Sequence, residues 1–253
     1  MAERIDSLPG CEWKIWQDDD EFAFTTDAVY LAGFCHLVRN ARVLELGAGT
    51  GAISLLLKAR GAKNVEACEI NEHVSELLKK SICENNLVGK VNVVNDDLRN
   101  LKEYYKSESF DLVVANPPYR NSGRQRKTGT AACHEVIGNL EDFIKMASYM
   151  VKFRGRFAIV QLPERFSEIM SLAHKYKLEL KRLQFMHATK DKKAWAFVAE
   201  FIKGGSLGGL DVLKPLIMYN EDGSHTKESL ELYGKSVTEK ALLEATKKEA
   251  IND

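Results

Sequence analysis

The chain has 253 residues, 36 Lys and Arg against 36 Asp and Glu, and a sequence pI of about 7.0. That balance argues against a protein that coats nucleic acid by bulk charge, while leaving room for a local basic face. A hydrophobic content of 45% argues against global disorder, and no apolar run approaches membrane-spanning length. In chain order, residues 1–40 form an expected N-terminal extension packing near the ligand site. Trp13, Ile15 and Trp16 alternate with polar residues as in a short strand, and Phe22 and Phe24 do the same. An apolar helix over about Ala28 to Leu37 follows, with Asp27 near its start. Residues 41–203 then alternate strands and helices. Strands are expected at Arg42–Leu46, Asn64–Cys68, Val91–Val94, Asp111–Ala115 and Phe157–Leu162. Helices are expected at Ala52–Ala59, Glu72–Glu84, and from Pro163 to about Tyr176. Two β-rich runs, Leu178–His187 and Ala194–Ile202, close the sheet. The pattern predicts an α/β fold with a doubly wound, mostly parallel seven-stranded sheet. Gly204-Gly-Ser-Leu-Gly-Gly209 suggests a flexible joint before a tail over 204–253, with an apolar run at Val212–Tyr219 and a helix at about Thr238–Lys248.

Five cysteines, Cys11, Cys35, Cys68, Cys83 and Cys133, are dispersed without a C-x-x-C pair. This suggests reduced thiols and offers neither a disulfide frame nor a metal site. The segment Met1-Ala-Glu-Arg-Ile-Asp6 lacks the apolar stretch of a signal peptide, which points to a cytoplasmic protein.

Two turns carry the chemistry. In Glu45-Leu-Gly47-Ala-Gly49-Thr-Gly51 the glycines lie where the first core strand turns into a helix. Glycine there permits positive φ and close approach of a ligand to the backbone. Glu69 ends the second core strand, where a carboxylate can accept ribose hydroxyls. Asp96 and Asp97 follow the third, within reach of an adenine amine. All are strand carboxyl ends, the ligand edge of an open α/β sheet. The same turn also fits a relaxed nicotinamide fingerprint, Gly47-x-Gly49-x-x-Ala52.

Asn116-Pro117-Pro118-Tyr119 follows the fourth core strand. An exocyclic amine of adenine is conjugated with its ring, so its lone pair is poorly available. The Asn116 side-chain carbonyl and the Pro117 backbone carbonyl can hold both amine hydrogens and aim the nitrogen at a methyl donor. The prolines stiffen the turn and offer no amide hydrogen. Tyr119 can stack on the planar target. With Glu45, this turn favours methyl transfer from S-adenosylmethionine, although two prolines can also simply end a strand.

These residues resemble the bacterial tRNA adenine-N6 methyltransferases that modify the adenine beside the anticodon of a valine tRNA. The resemblance runs from about Trp16 to Tyr219. It includes the family-specific Phe22-Ala-Phe24-Thr-Thr-Asp27-Ala, His134-Glu135, Gln161-Leu-Pro-Glu-Arg165, and Lys203-Gly-Gly with Pro215-Leu-Ile-x-Tyr219. It implies a class I methyltransferase fold, S-adenosylmethionine as donor, tRNA as partner, and Asn116, Pro117 and Tyr119 at the target base. It also implies Phe24, Thr26 and Asp27 near the cofactor or pocket entrance. Ala132-Cys133 departs from the alanine-arginine pair expected before His134, and Ala188-Thr-Lys-Asp-Lys-Lys-Ala-Trp195 departs from an acidic, Asn-containing run.

RNA contact is expected from Arg120, Arg124, Arg126 and Lys127, from His134, and from Lys190, Lys192 and Lys193 with Trp195 nearby. Ordinary solvated charge is the competing explanation for each. A monomer without metal or membrane attachment is expected. Competing functions are glutamine N5-methylation in a protein, disfavoured by the short segment before the glycine turn, and a non-catalytic RNA-binding protein on the same fold.

Overall fold

The computed structural model describes residues 3–18, 23–119 and 138–233. The chain opens with a hairpin of β1 (Glu3–Ser7) and β2 (Lys14–Asp18). The alternation around Ile15 marks β2, where Ile15 is fully buried and Lys14 is exposed. β1 has no such mark, because its one apolar residue, Ile5, faces outward. Phe24 belongs to no strand; its N–H is held by Gln17 Oε1 at 2.7 Å. Phe22 lies outside the described residues.

Helix α1 (Thr26–Phe34) stops before Leu37, with Arg60 taking the Cys35 carbonyl at 3.1 Å. The core then follows as expected: β3 (Arg42–Leu46), α2 (Ala52–Ala59), β4 (Asn64–Cys68), α3 (Glu72–Glu84) and β5 (Val91–Val94). A 3₁₀ turn (Leu98–Asn100) and the short α4 (Leu101–Tyr104) precede β6 (Phe110–Ala115). Helix α5 (Leu140–Met150) starts at a reciprocal Asn139–Asp142 capping box. β7 (Val151–Gln161) starts six residues before the expected strand, pairing with β6 across a register shift between Phe110 and Leu112. Pro163 opens a 3₁₀ turn leading into α6 (Phe166–Lys175). The hairpin β8 (Leu178–His187) and β9 (Ala194–Lys203) closes the main sheet.

Among the described residues the main sheet has nine strands. Seven are the expected ones, in order β8-β9-β7-β6-β3-β4-β5. Two two-residue strands, β10 (Asp211–Val212) and β11 (Leu216–Ile217), extend the β8 edge. Pairing is parallel from β7 through β6, β3 and β4 to β5, and antiparallel around β9. The chain runs outward from β3 through β4 to β5, then returns to place β6 on the other side of β3. That reversal opens a crevice beyond the carboxyl ends of the central strands.

Two apolar layers cover the sheet. Residues of α1, α2 and α3, among them Leu31, Leu55 and Leu78, fill one face; Phe143 and Ile144 of α5 and Ile169 of α6 fill the other. Fully buried Glu200 bridges β9 to its neighbours through Arg156 at 2.7 Å and the His36 N–H at 2.8 Å. A buried charge needs such pairing to be tolerated.

The glycine segment after β9 is pinned and does not act as a loose joint. Gly204 N–H donates to Lys177 O at 2.9 Å, Gly205 N–H to Ile202 O at 3.2 Å, and Lys181 Nζ to Ser206 O at 2.5 Å. The following residues run along β8 and end in α7 (Lys227–Tyr233), which packs on α1 through Ser229–Tyr30 at 3.0 Å and Tyr233–Thr26 at 3.0 Å. The expected helix near Thr238–Lys248 lies outside the described residues. Among the described residues no helix is long and apolar enough to cross a membrane, no metal-holding His/Cys/Asp/Glu group occurs, and Cys11, Cys35, Cys68 and Cys83 are free. Burial pushes the Cys68 thiol up to about 12, against an ordinary 9.0, so it stays neutral and inert.

Candidate active site

The glycine turn and the Asn-Pro-Pro-Tyr turn leave the sheet side by side. Leu46 of β3 pairs with Ala115 of β6, so Gly47 and Asn116 begin at the same level on neighbouring strands. Adjacent strands are about 4.8 Å apart. Local sequence therefore builds two turns, and sheet register makes them one site.

In the glycine turn, Gly47, Gly49 and Gly51 have φ of 68°, 55° and 87°. A Cβ at Gly51 would strike Leu78 of α3 at 2.1 Å, and one at Gly47 would meet Phe143 of α5 at 3.1 Å. At Gly49 it would meet no heavy atom within 4 Å. The outer two glycines thus answer to packing, and the middle one presents bare backbone to the crevice. Glu69 holds the turn: its Oε2 accepts the Gly49 N–H at 2.8 Å and its Oε1 the Asn71 N–H at 2.8 Å. A carboxylate offers about four acceptor sites, so bracing the turn and accepting ribose hydroxyls are compatible.

Glu45 lies beneath the turn, 1% exposed, and accepts the Ser54 hydroxyl at 2.5 Å. Burial raises its carboxyl from 4.5 to about 8, against the pull of the Ser54 bond. It ties β3 to α2 from inside. Asp96 and Asp97 also have local partners. Asp96 accepts from Asn100 at 2.9 Å and Tyr104 at 2.8 Å, bonds that hold its carboxyl below the usual range. Asp97 caps the following 3₁₀ turn through the Arg99 N–H at 2.8 Å and pairs with the Arg99 guanidinium.

In the second turn Pro117 is buried, Pro118 is exposed and Asn116 is half-buried. Asn116 Nδ2 donates to Asp27 Oδ2 at 3.4 Å. Asp27 is 3% exposed; burial raises its carboxyl, against hydrogen bonds from Thr25, Ala28 and Asn116. The Tyr119 hydroxyl is buried without a hydrogen-bond partner among the described residues. Gln161 has no role that its place in the sequence announces. Fully buried at the end of β7, it donates from Nε2 to the Pro117 carbonyl at 3.3 Å and accepts the Leu162 N–H at 2.9 Å. It bears on the very carbonyl expected to hold the amine.

Phe24 is packed partly buried against the core, and Thr26 Oγ1 is engaged by Tyr233 of α7. Of the three residues expected near the entrance, Asp27 is bonded to the second turn. Lys190, Lys192 and Lys193 are exposed on the turn between β8 and β9. Because Gln161 pairs with Phe197 and His187 with Ala194, that turn shares the sheet edge with Asn116. Lys190 pairs with Glu221, and Trp195 is half-buried against the core. Arg120, Arg124, Arg126, Lys127, His134 and Glu135 lie outside the described residues.

A doubly wound sheet with this strand order, a glycine turn after β3 and an Asn-Pro-Pro-Tyr turn after β6 defines a class I methyltransferase. Residues 29–176, more than half of the chain, match the family model described as Methyltransferase small domain, and the chain belongs to that family. Curated relatives named tRNA1(Val) (adenine(37)-N6)-methyltransferase are similar at modest identity. The protein from Bacteroides fragilis strain YCH46 is 28% identical over 154 residues, covering 59% of this chain and 64% of the relative. That from Aliivibrio salmonicida is 22% identical over 171 residues, covering 66% and 72%. The chain thus spans just under two thirds of the Bacteroides relative.

Among solved structures, a protein from Agrobacterium tumefaciens described as a predicted O-methyltransferase superposes with a TM-score of 0.67 at 22% identity, covering 83% of this chain and 99% of that one. The M. jannaschii tRNA m1G37 methyltransferase superposes at 0.57 and 19% identity, covering 81% and 55%. These likenesses support the fold. Family and fold set aside the nicotinamide alternative.

Proposed function

We propose that this protein transfers a methyl group from S-adenosylmethionine to the N6 amine of adenine in tRNA, at the adenine beside the anticodon of a valine tRNA. The observation that carries this is the register of Leu46 with Ala115, which puts the glycine turn and the Asn116–Pro117 acceptors at one level of the sheet. The names of the curated relatives support tRNA as the substrate class. The substrate puts the protein in the cytoplasm.

The residues present fit the donor. Gly49 offers an open backbone surface, Glu69 a carboxylate for ribose hydroxyls, and the first turn of α2 a positive backbone end for a carboxylate group. When bound, S-adenosylmethionine supplies an electrophilic methyl group on a sulfonium. Asn116 Oδ1 and the Pro117 carbonyl accept the two amine hydrogens and turn the nitrogen lone pair toward that methyl. Tyr119 stacks on the base and sets its plane. Transfer of that methyl to the held nitrogen would leave the donor as S-adenosylhomocysteine, and the amine would give up one proton to solvent. No covalent enzyme intermediate is needed, and the gain comes from positioning and fixed dipoles. An adenine within RNA structure is splayed out to enter. Exposed Lys192 and Lys193, at the same sheet edge, are suited to phosphate contact, as are the basic residues over 120–127.

Incubation with methyl-labelled S-adenosylmethionine and tRNA lacking the modification, followed by nucleoside mapping, tests this. Label in N6-methyladenosine next to the valine anticodon is expected. No methylated adenine across a complete tRNA pool contradicts the proposal. Label on a release-factor glutamine would assign the same turn to protein methylation.

A further inference from the structure

We infer that Asp27 is a positioning residue, acting through Asn116 to turn that side chain's carbonyl oxygen toward the target amine. The inference rests on the proposed function for the identity of the amine, and on geometry for the link itself. An asparagine amide can sit in two orientations related by a half-turn, exchanging its oxygen and its NH₂ group. Only one of them accepts a hydrogen from the substrate. The other points N–H at N–H and repels it. Within the turn the two proline nitrogens carry no hydrogen with which to orient it.

Asp27 supplies the choice. It lies in the first turn of α1, 89 residues before Asn116 in the chain, and is 3% exposed. Its Oδ1 is taken by the Thr25 hydroxyl and by the Ala28 N–H at 3.1 Å. Its Oδ2 faces Asn116 Nδ2 at 3.4 Å. That distance is long, as catalytic contacts often are before substrate closes on them. An ionised carboxylate only accepts, so it draws the NH₂ end of Asn116 toward itself and sends Oδ1 the other way. A neutral carboxyl does the same. Its proton can sit on Oδ1 against Thr25 Oγ1, leaving Oδ2 an acceptor. The choice is therefore insensitive to the charge on Asp27.

The carboxyl is also held in place. Tyr233 of α7 reaches the adjacent Thr26 hydroxyl at 3.0 Å, Ser229 binds Tyr30 at 3.0 Å, and Arg60 takes the Cys35 carbonyl at 3.1 Å. Helix α1 is thus fixed at both ends, and the C-terminal segment contributes to the clamp without touching it.

Two measurements test this. In the protein without RNA, the Asn116 side-chain NH₂ resonances, assigned by their loss in Asn116→Asp, are expected to be shifted and slow to exchange. In Asp27→Ala they are expected to move to the position of a solvated amide. In turnover, Asp27→Ala is expected to lower kcat roughly 100-fold, the scale of a misplaced catalytic group. S-adenosylhomocysteine affinity should stay within about two-fold, and Asp27→Ala should add no more than about two-fold to the loss in Asn116→Ala, as for two groups acting in series. In Asp27→Asn the amide oxygen is claimed by the Ala28 N–H and the Thr25 hydroxyl, so its NH₂ faces Asn116 and kcat should fall as in Asp27→Ala; nearly isosteric, it also carries both measurements should the alanine variant fail to fold. Unchanged Asn116 resonances in the Asp27 variants would overturn the inference. So would a ten-fold or larger loss of S-adenosylhomocysteine affinity, which would make Asp27 a cofactor contact. The resonances decide the link even where tRNA proves the wrong substrate, so the two failures are distinguishable.

Discussion

Asn116→Ala is expected to lower methyl transfer roughly 10²- to 10³-fold while leaving S-adenosylhomocysteine binding nearly intact. That magnitude is what one aimed dipole contributes to a water-excluded transition state. The side chain is the one contributor of an acceptor that lies in the turn yet can be deleted, since the second acceptor, the Pro117 carbonyl, belongs to the backbone. Asn116 begins beside Gly47, and its side-chain bond runs to Asp27 at 3.4 Å rather than to a residue of the glycine turn. Truncation therefore removes a hold on the target and leaves the donor's cradle standing. The variant should also keep its fold. The lost contact to Asp27 is worth about 1 kcal/mol, a shift of a few degrees in Tm at this chain length. Parallel assays of kcat, KM for tRNA and calorimetric affinity check the separation. An active variant removes the amine clamp from the mechanism.

Gly51→Ala is expected to fail in the opposite way, losing the cradle first. A side chain at φ of 87° is strained whatever the space around it, and here the space is also taken, with Leu78 at 2.1 Å from the new Cβ. Left-handed backbone costs about 1–2 kcal/mol in a non-glycine residue. Overpacking adds about 1–3 kcal/mol. The sum, about 2–5 kcal/mol, corresponds to a Tm loss of roughly 5–15 °C. S-adenosylhomocysteine affinity should fall at least ten-fold, because α2 is displaced at its first residue. Leu78→Ala alone costs about 2–5 kcal/mol because Leu78 is fully buried, so the double variant should melt above the sum of the two single losses by the overpacking part only. Gly49→Ala makes the useful contrast. Its Cβ meets nothing within 4 Å, so it should weaken donor binding with a smaller loss of Tm. Thermal melts with and without S-adenosylhomocysteine distinguish the two. Equal Tm losses at both positions would contradict the division of labour among the glycines.

How much of this was legible in the sequence depended on the range of the cause. β3 and β4 matched their expected limits because their buried residues form short apolar-rich runs bounded by polar turns, and β8 because leucine and phenylalanine recur among its polar residues. β1 was missed because Glu-Arg-Ile-Asp-Ser has no apolar face; it is a strand only because β2 pairs with it. β7 was read short, since Lys152, Phe153 and Arg154 are surface residues that extend the strand without an apolar signature. The glycine segment at 204–209 looked loose by composition and is held by carbonyls and a lysine from elsewhere in the fold.

The site divides along the same line. Gly47, Gly49, Gly51, Asn116 and Pro117 were legible because turn chemistry is local. Glu69 was named for ribose and turns out also to brace Gly49, a contact across 20 residues. Gln161 on the Pro117 carbonyl and Asp27 on Asn116 act across 44 and 89 residues, and no spacing rule connects them. The Gln161-Leu-Pro stretch carried a signal through the resemblance, but its job became visible only when β7 was laid beside β6.

The central claim is that two carbonyl oxygens after β6 grip a planar amine and aim it at the methyl donor. A crystal structure with S-adenosylhomocysteine and adenosine monophosphate tests it most directly. The adenine amine is expected within hydrogen-bonding distance of Asn116 Oδ1 and the Pro117 carbonyl, with the donor sulfur facing that nitrogen along the line a transferring methyl would take. A sulfur turned away from the Asn116–Pro117 turn, with the amine held elsewhere, would contradict it.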